Sequence, residues 1–179
     1  TKACIANQSH RSEHYKVFFV EKGKGKYTID FQSFEIDGAG LFFLSPGQVL
    51  TVEAEQANAS FEIAFDKEFY CIETHGKEIA CNGVLFNNVH RSTFLPLSEN
   101  DAVLFRQFVG NIERELENPG RAHREMLETY LRMFLIEALR KNDEKVPVEP
   151  SESEEGNRLA GDFIALVDKH FREKHAVSE

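Results

Sequence analysis

His10-Arg-Ser-Glu-His-Tyr-Lys-Val-Phe-Phe-Val-Glu-Lys-Gly-Lys-Gly25 and, further on, Gly40-Leu-Phe-Phe-Leu-Ser-Pro-Gly-Gln-Val-Leu50 are the two stretches that decide the fold. Each joins a run of aromatic and β-branched residues to a cluster of turn formers, the composition of a strand ended by a tight connection. The pattern holds from Tyr15 to about Phe94. Apolar runs of four to seven residues are broken at Lys22-Gly-Lys-Gly25, Asp37-Gly-Ala-Gly40, Ser45-Pro-Gly47, Asn58, Asn82-Gly83 and Asn87-Asn88. Many short strands at this spacing predict a small barrel or sandwich. Lys22-Gly-Lys-Gly-Lys26 reads as a hairpin turn and not as a phosphate-binding loop, because Tyr27-Thr-Ile-Asp-Phe31 after it has the pattern of a strand where such a loop would open a helix.

After Pro96 the apolar period changes to that of helices. Ser98, with Asp101 three residues on, predicts an N-cap. Leu104, Phe108, Ile112 and Leu116 then recur every four residues until Asn118-Pro-Gly120 stops the helix. A second helix begins near Arg121. Its apolar residues, from Met126 to Leu139, cover more than the stripe of roughly 100° that one packing partner occupies, so two partners are expected. Asn142 to Gly156 is charged and Pro-containing, the composition of an exposed linker. Leu159, Phe163, Leu166, Val167, His170 and Phe171 then mark a third amphipathic helix with nothing obvious in the chain to bury against.

Composition narrows the function classes. The chain has 179 residues, a formal net charge of -9 and three cysteines. That length supports one well-buried core plus an appendage. Excess negative charge repels a phosphate backbone, so this segment is not expected to touch DNA itself. An odd, unpatterned set of cysteines fits a reducing compartment, and no apolar run approaches a membrane span or a signal peptide, so a cytoplasmic location is expected. A start without Met and a stop directly after an amphipathic stretch are read as the marks of a piece of a longer protein.

Metal-binding barrels of the cupin type carry His-x-His, a carboxylate three or four residues later, and a further His after a Pro-x-Gly turn. Here only His10 remains of that set. Ser12 stands at the second position, Lys16 or Val17 at the carboxylate, and Leu50 where the last His would fall. One imidazole beside an ammonium holds a divalent ion poorly, so neither metal nor catalytic centre is expected. His10, Ser12 and Lys16 are read either as solvent-bonded residues at a barrel mouth or as polar groups orienting a small ligand, with Phe18 and Phe43 supplying apolar burial. Cys71, Glu73 and His75 alternate along a possible strand from Phe69 to Thr74, with Cys81 nearby. Their spacing matches no zinc pattern, and nothing activates either thiol as a nucleophile.

The order of these segments resembles a family. Phe18-Phe-Val-Glu-Lys-Gly-Lys-Gly25, Leu44-Ser-Pro-Gly-Gln-Val49, Phe69-Tyr-Cys71, Cys81-Asn-Gly-Val-Leu-Phe86 and the two helices after them are similar to the N-terminal sensor domain of bacterial AraC-type transcription regulators. Gly161 to Ser178 is similar to the first helix of that family's DNA-binding domain. The resemblance implies an α+β, mainly β chain: a cupin-like jelly-roll barrel for a small-molecule effector over residues 1–96, a helical hairpin for homodimerisation over 97–142, a linker over 143–157, and over 158–179 a C-terminal linker helix that begins a truncated DNA-binding unit. It implies effector contacts at His10, Ser12, Lys16, Phe18, Phe43 and Leu50. It also explains the wide apolar surface of the second helix, where Met126, Leu127, Tyr130, Leu131, Met133 and Phe134 are the interface candidates. Leu50 departs from the family's usual His. No cofactor and no membrane are expected, and DNA is reached only through residues past Glu179. The alternative is a metal-dependent cupin enzyme, an isomerase or dioxygenase.

Overall fold

The structure is a computed structural model of the 179-residue chain that describes residues 8–11, 13–54, 59–70, 85–86 and 93–144. Its strands are β1 (Gln8–Arg11), β2 (Tyr15–Ile29), β3 (Gln32–Leu44), β4 (Val49–Ala54), β5 (Ala59–Phe65) and β6 (Phe94–Leu97). Its helices are a single turn, α1 (Lys67–Tyr70), and the long pair α2 (Glu99–Glu117) and α3 (His123–Asp143). All strand pairs are antiparallel, in the order β1-β4-β2-β3-β6 with β5 on β2. Strands and helices take roughly equal shares of the described residues, so the expectation of a mainly β chain is corrected to α+β; the hairpin helices run to 19 and 21 residues. Among the described residues no helix is long and apolar enough to cross a membrane.

The glycine clusters do not end strands as expected; they bend them. Lys22 to Gly25 lies inside the 15-residue β2, and Asp37 to Gly40 inside the 13-residue β3. Val20 pairs with Gly40 and Gly23 with Gly38, so two residues of β2 oppose one of β3. Against β5, Val20 pairs with Ser60 and Lys22 with Ala59, which makes Glu21 the extra residue. Such a bulge bends and twists a strand and switches the face its later side chains take. The bend is large. Phe18 and Tyr27 would lie roughly 30 Å apart on a straight strand, yet their ring centroids are 6.4 Å apart. Gly38, at φ +132, supplies the conformation that a side chain would resist in the facing strand.

The actual hairpin turn is Asp30-Phe31, since Ile29 pairs with Gln32. No turn signal marks it along the chain, because an apolar Phe occupies a turn position and stands 87% exposed. Asp30, at φ 52, is among the residue types that tolerate left-handed backbone.

Folding the β2–β3 ribbon on itself creates two apolar layers. Phe18, Phe42 and Phe94 from one half of the sheet meet Tyr27, Phe34 and Leu50 from the other, and these form an interior between the halves. On the opposite face Val17, Phe19, Leu41 and Phe43 pack against Phe105 of α2 and Phe134 of α3. The helices therefore share a core with the sheet. Gly40 sits where these layers cross: a Cβ there would run into the Phe94 ring and lie 3.2 Å from the Leu95 carbonyl. Gly40→Ala is expected to lower stability by about 2 kcal/mol through overpacking, read as an earlier denaturant midpoint. An unchanged midpoint would show that β6 can retreat freely.

Ser98 caps α2 as expected, with the reciprocal Asp101 contact of a capping box, and the helix ends at Asn118. Phe69 and Tyr70, expected on a strand, lie in the helical turn α1 instead. Cys71, Glu73, His75 and Cys81, like Ser12 and residues 145–179, fall outside the described residues.

Candidate functional site

The two halves of the folded sheet give the sequence candidates different surroundings. Phe18 and Leu50 both belong to the interior aromatic layer. Phe43 belongs to the opposite layer, where its ring meets Phe86 edge-on at 5.6 Å. Neighbouring strand residues point to opposite faces, so Phe18 and Phe43 cannot line one cavity even though Val17 and Phe43 are direct partners. His10 is opposite Leu50 in the β1–β4 register, and its side chain lies outside the described set.

Lys16 shares the Phe18 face by strand alternation, and Glu62, the cross-strand partner of Phe18, lies beside it. Lys16 Nζ is 2.9 Å from Glu62 Oε1, with both side chains about three-quarters shielded from water. Farther along the same edge His14 Nδ1 contacts the Asp66 carboxylate in an exposed pair. The border of the interior layer thus presents paired charges and not a bare ammonium. That arrangement offers both donors and acceptors to a polar ligand and gives no net attraction to an anion. Among the described residues no group of three His, Cys, Asp or Glu side chains is placed to hold a metal ion.

One polar network went unread in the sequence. Ser45-Pro46-Gly47-Gln48 forms a tight turn with the Gln48 N–H donating to the Ser45 carbonyl at 3.2 Å and Gly47 at φ +91, a type II arrangement. Gln48 Nε2 donates to Asp30 Oδ2 at 2.9 Å and the Val49 N–H donates to Asp30 Oδ1 at 3.0 Å. The Ser45 hydroxyl donates to the Phe86 carbonyl at 2.9 Å. The Pro-Gly turn, where the cupin pattern would lead to a ligand, here stitches the β2–β3 turn to the start of β4. Asp30 looks like part of a strand in sequence, so only its turn geometry exposes the role.

Two buried side-chain oxygens, Gln32 Oε1 and Thr93 Oγ1, have no hydrogen-bond partner among the described residues. Thr93 is 1% exposed, and an unsatisfied hydroxyl there is unfavourable by about 1–3 kcal/mol. Thr93→Val is expected to raise the melting temperature by roughly 3 °C. A drop would mean that the hydroxyl finds a partner in solution. Close by, burial raises the Tyr15 phenol above its ordinary pKa, with Phe65 stacked at 5.9 Å and Phe86 edge-on at 5.3 Å.

The six interface candidates on α3 separate by burial into three pairs. Leu131 and Phe134 are buried in the chain's own core and leave no surface for a second copy. Met126 and Met133 are exposed, at 41% and 48%, and lie seven residues apart on one face. Leu127 and Tyr130 are half-buried between these sets. Arg106 of α2 fastens the hairpin to the bent strand: its guanidinium lies 4.5 Å over the Phe61 ring, its Nε 3.8 Å from Glu21 in the bulge, and its Nη1 3.3 Å from Glu113.

Where α2 begins and α3 ends, the Ser98 hydroxyl first, and then Lys141, hold the Asp101 carboxyl below the usual aspartate range. Glu144 first, then Asp101, raise Lys141. A carboxylate with a lowered folded pKa stabilises the fold above its unfolded value, about 3.9, and that stability is lost as pH falls through the folded value. The raised Lys141 contributes below its unfolded value, about 10.4, and the contribution is lost as pH climbs above it. Neutral pH lies inside both windows. Asp101→Asn should therefore flatten the stability loss as pH falls below about 4, measured as urea midpoints on the acid side. An equal acid slope in both proteins would remove Asp101 from the acid response.

No protein-family model and no curated protein matches the sequence. Among solved structures the chain is similar to the crystal structure of the AraC-like transcriptional activator CuxR, at 16% identity and a TM-score of 0.49. The likeness covers 91% of this chain and 54% of that one, so the chain spans about half the length of the structure it matches.

Proposed function

We propose that the chain is the effector-sensing and self-associating part of an AraC-type transcription regulator, with DNA contacted through residues beyond Glu179. The observation that carries the reading is the division of labour on α3. Leu131, Phe134, Leu135 and Ala138 are spent on the core, while Met126 and Met133 remain exposed one heptad apart. A helix that had only to cover a sheet would need one apolar face. The outer face is the proposed contact with a second copy, and paired copies would place two DNA-binding units on paired half-sites.

The effector site in this reading is the border of the folded sheet. Phe18 and Leu50 give apolar contact, and Lys16 paired with Glu62 gives the polar handle. An effector that prefers one closure of the two sheet halves shifts the population of that state and no more than its differential affinity allows. The fold of order in the segments, strand-rich unit then hairpin then charged linker, supports the family over the enzyme.

Sedimentation velocity of the chain at micromolar concentration tests the self-association half, with a dimer expected. A monomer at all accessible concentrations overturns it. Thermal scans with sugars, aromatic acids and amino acids test the sensing half, because a ligand that binds the native state raises the melting temperature by mass action. An effector should shift the unsubstituted chain and shift Lys16→Met less.

A further inference from the structure

We infer that Lys141 couples the last turn of α3 to β6, by tying that turn to the capping box that joins β6 to α2. The geometry is a relay of three contacts. Ser98 follows β6 with no spacer, and Asp101 Oδ2 accepts from the Ser98 N–H at 3.2 Å and from its hydroxyl at 2.7 Å. Lys141 Nζ lies 3.3 Å from the other oxygen, Asp101 Oδ1. The same ammonium lies 3.2 Å from Glu144 Oε2, the residue at which α3 ends. The Asp101 and Lys141 side chains are only 14% and 23% exposed, so this pair is screened less than the surface ion pairs elsewhere on α3.

The relay begins at the interior layer. Phe94 of β6 stacks on Phe42 with centroids 4.8 Å apart, and β6 pairs with β3 from Ala39 to Phe42. A displacement of β6 therefore moves Ser98, the carboxylate it holds and the ammonium on that carboxylate. The inference rests on the sensing reading only for its use: it supplies a path from an occupied interior to the last turn of α3. Lys141 acts here through Asp101 and Glu144 and is a positioning residue.

Backbone hydrogen exchange on the full chain tests this without any effector. In Lys141→Met the amides of residues 138–144 should exchange up to about fivefold faster, while those of Phe105 to Val109 and Val17 to Val20 keep their protection. Lys141→Arg should restore the last turn, since it keeps the charge. Asp101→Asn, a change in α2, should produce the same local rise in α3. Unchanged exchange over residues 138–144 in Lys141→Met overturns the inference, and so does a rise shared equally by the two control segments. Because the readout needs neither dimer nor ligand, failure of the sensor reading would leave this result standing, and the reverse.

Discussion

Phe42→Ala should destabilise the chain by about 4 kcal/mol and lower its melting temperature by roughly 10 °C or more. Phe42 is fully buried and sits at the centre of the interior layer. Its ring stacks on Tyr27 at 5.0 Å and on Phe94 at 4.8 Å, and meets Phe34 edge-on at 6.0 Å. Tyr27 and Phe34 come from one half of the folded sheet, Phe42 and Phe94 from the other. Truncation therefore removes the contact that holds the halves together, and adds the unfavourable term of a cavity that three large rings cannot collapse into. Phe31→Ser serves as the control, because Phe31 is exposed at the turn and should leave stability within about 0.5 kcal/mol. A loss below about 1.5 kcal/mol for Phe42→Ala would mean that the halves are held mainly by their hydrogen-bonded ribbon.

Met133→Glu should weaken the proposed dimer by at least about a hundredfold while leaving the fold intact. A carboxylate in an apolar contact loses its hydration without a partner, an effect of several kcal/mol, and in a symmetric dimer it is introduced twice. Met133 is half-exposed within one chain, so the same change is nearly free for the monomer's own core. Leu131→Glu is the informative contrast. Leu131 is buried at 2% exposure against the sheet, and its substitution should unfold the hairpin whatever the state of association. Sedimentation velocity with far-ultraviolet circular dichroism separates the outcomes. A Met133→Glu protein that stays dimeric with native ellipticity rejects the α3 face as the interface.

Much of the architecture was legible along the chain. The helix α2, the Ser98 cap, the Asn118-Pro-Gly stop and the turn at Pro46-Gly47 are local features, each set by residues within one or two turns of one another. The face α2 buries, however, is Ala102, Phe105 and Val109 and not the expected row from Leu104 to Leu116, whose last residue is exposed. The length of β2 and β3 was not legible. Glycine clusters read as ends because the same residue serves a hairpin turn and a bulge, and only pairing with β3 and β5 shows that Glu21 is an insertion in a continuing strand. The candidate site divides in the same way. Lys16 stands out at the cupin carboxylate position and Phe18 as an apolar residue two places on, and strand alternation gives the two a shared face. Glu62 was invisible, since a carboxylate far along the chain becomes a partner only through register.

By itself, the sequence determined that a strand-rich part precedes two long helices, which helix carries excess apolar surface and which metal ligands the cupin pattern lacks. These follow from residue type and short-range spacing. Tertiary structure alone decided that Phe18 and Phe43 face different layers, that Leu131 and Phe134 serve the core while Met126 and Met133 stay exposed, and that Lys141 meets Asp101 across the hairpin. The physical reason is common to all three. Burial and ion pairing depend on distances between residues remote in sequence, and a single bulge or helix rotation reassigns a face without changing any local propensity.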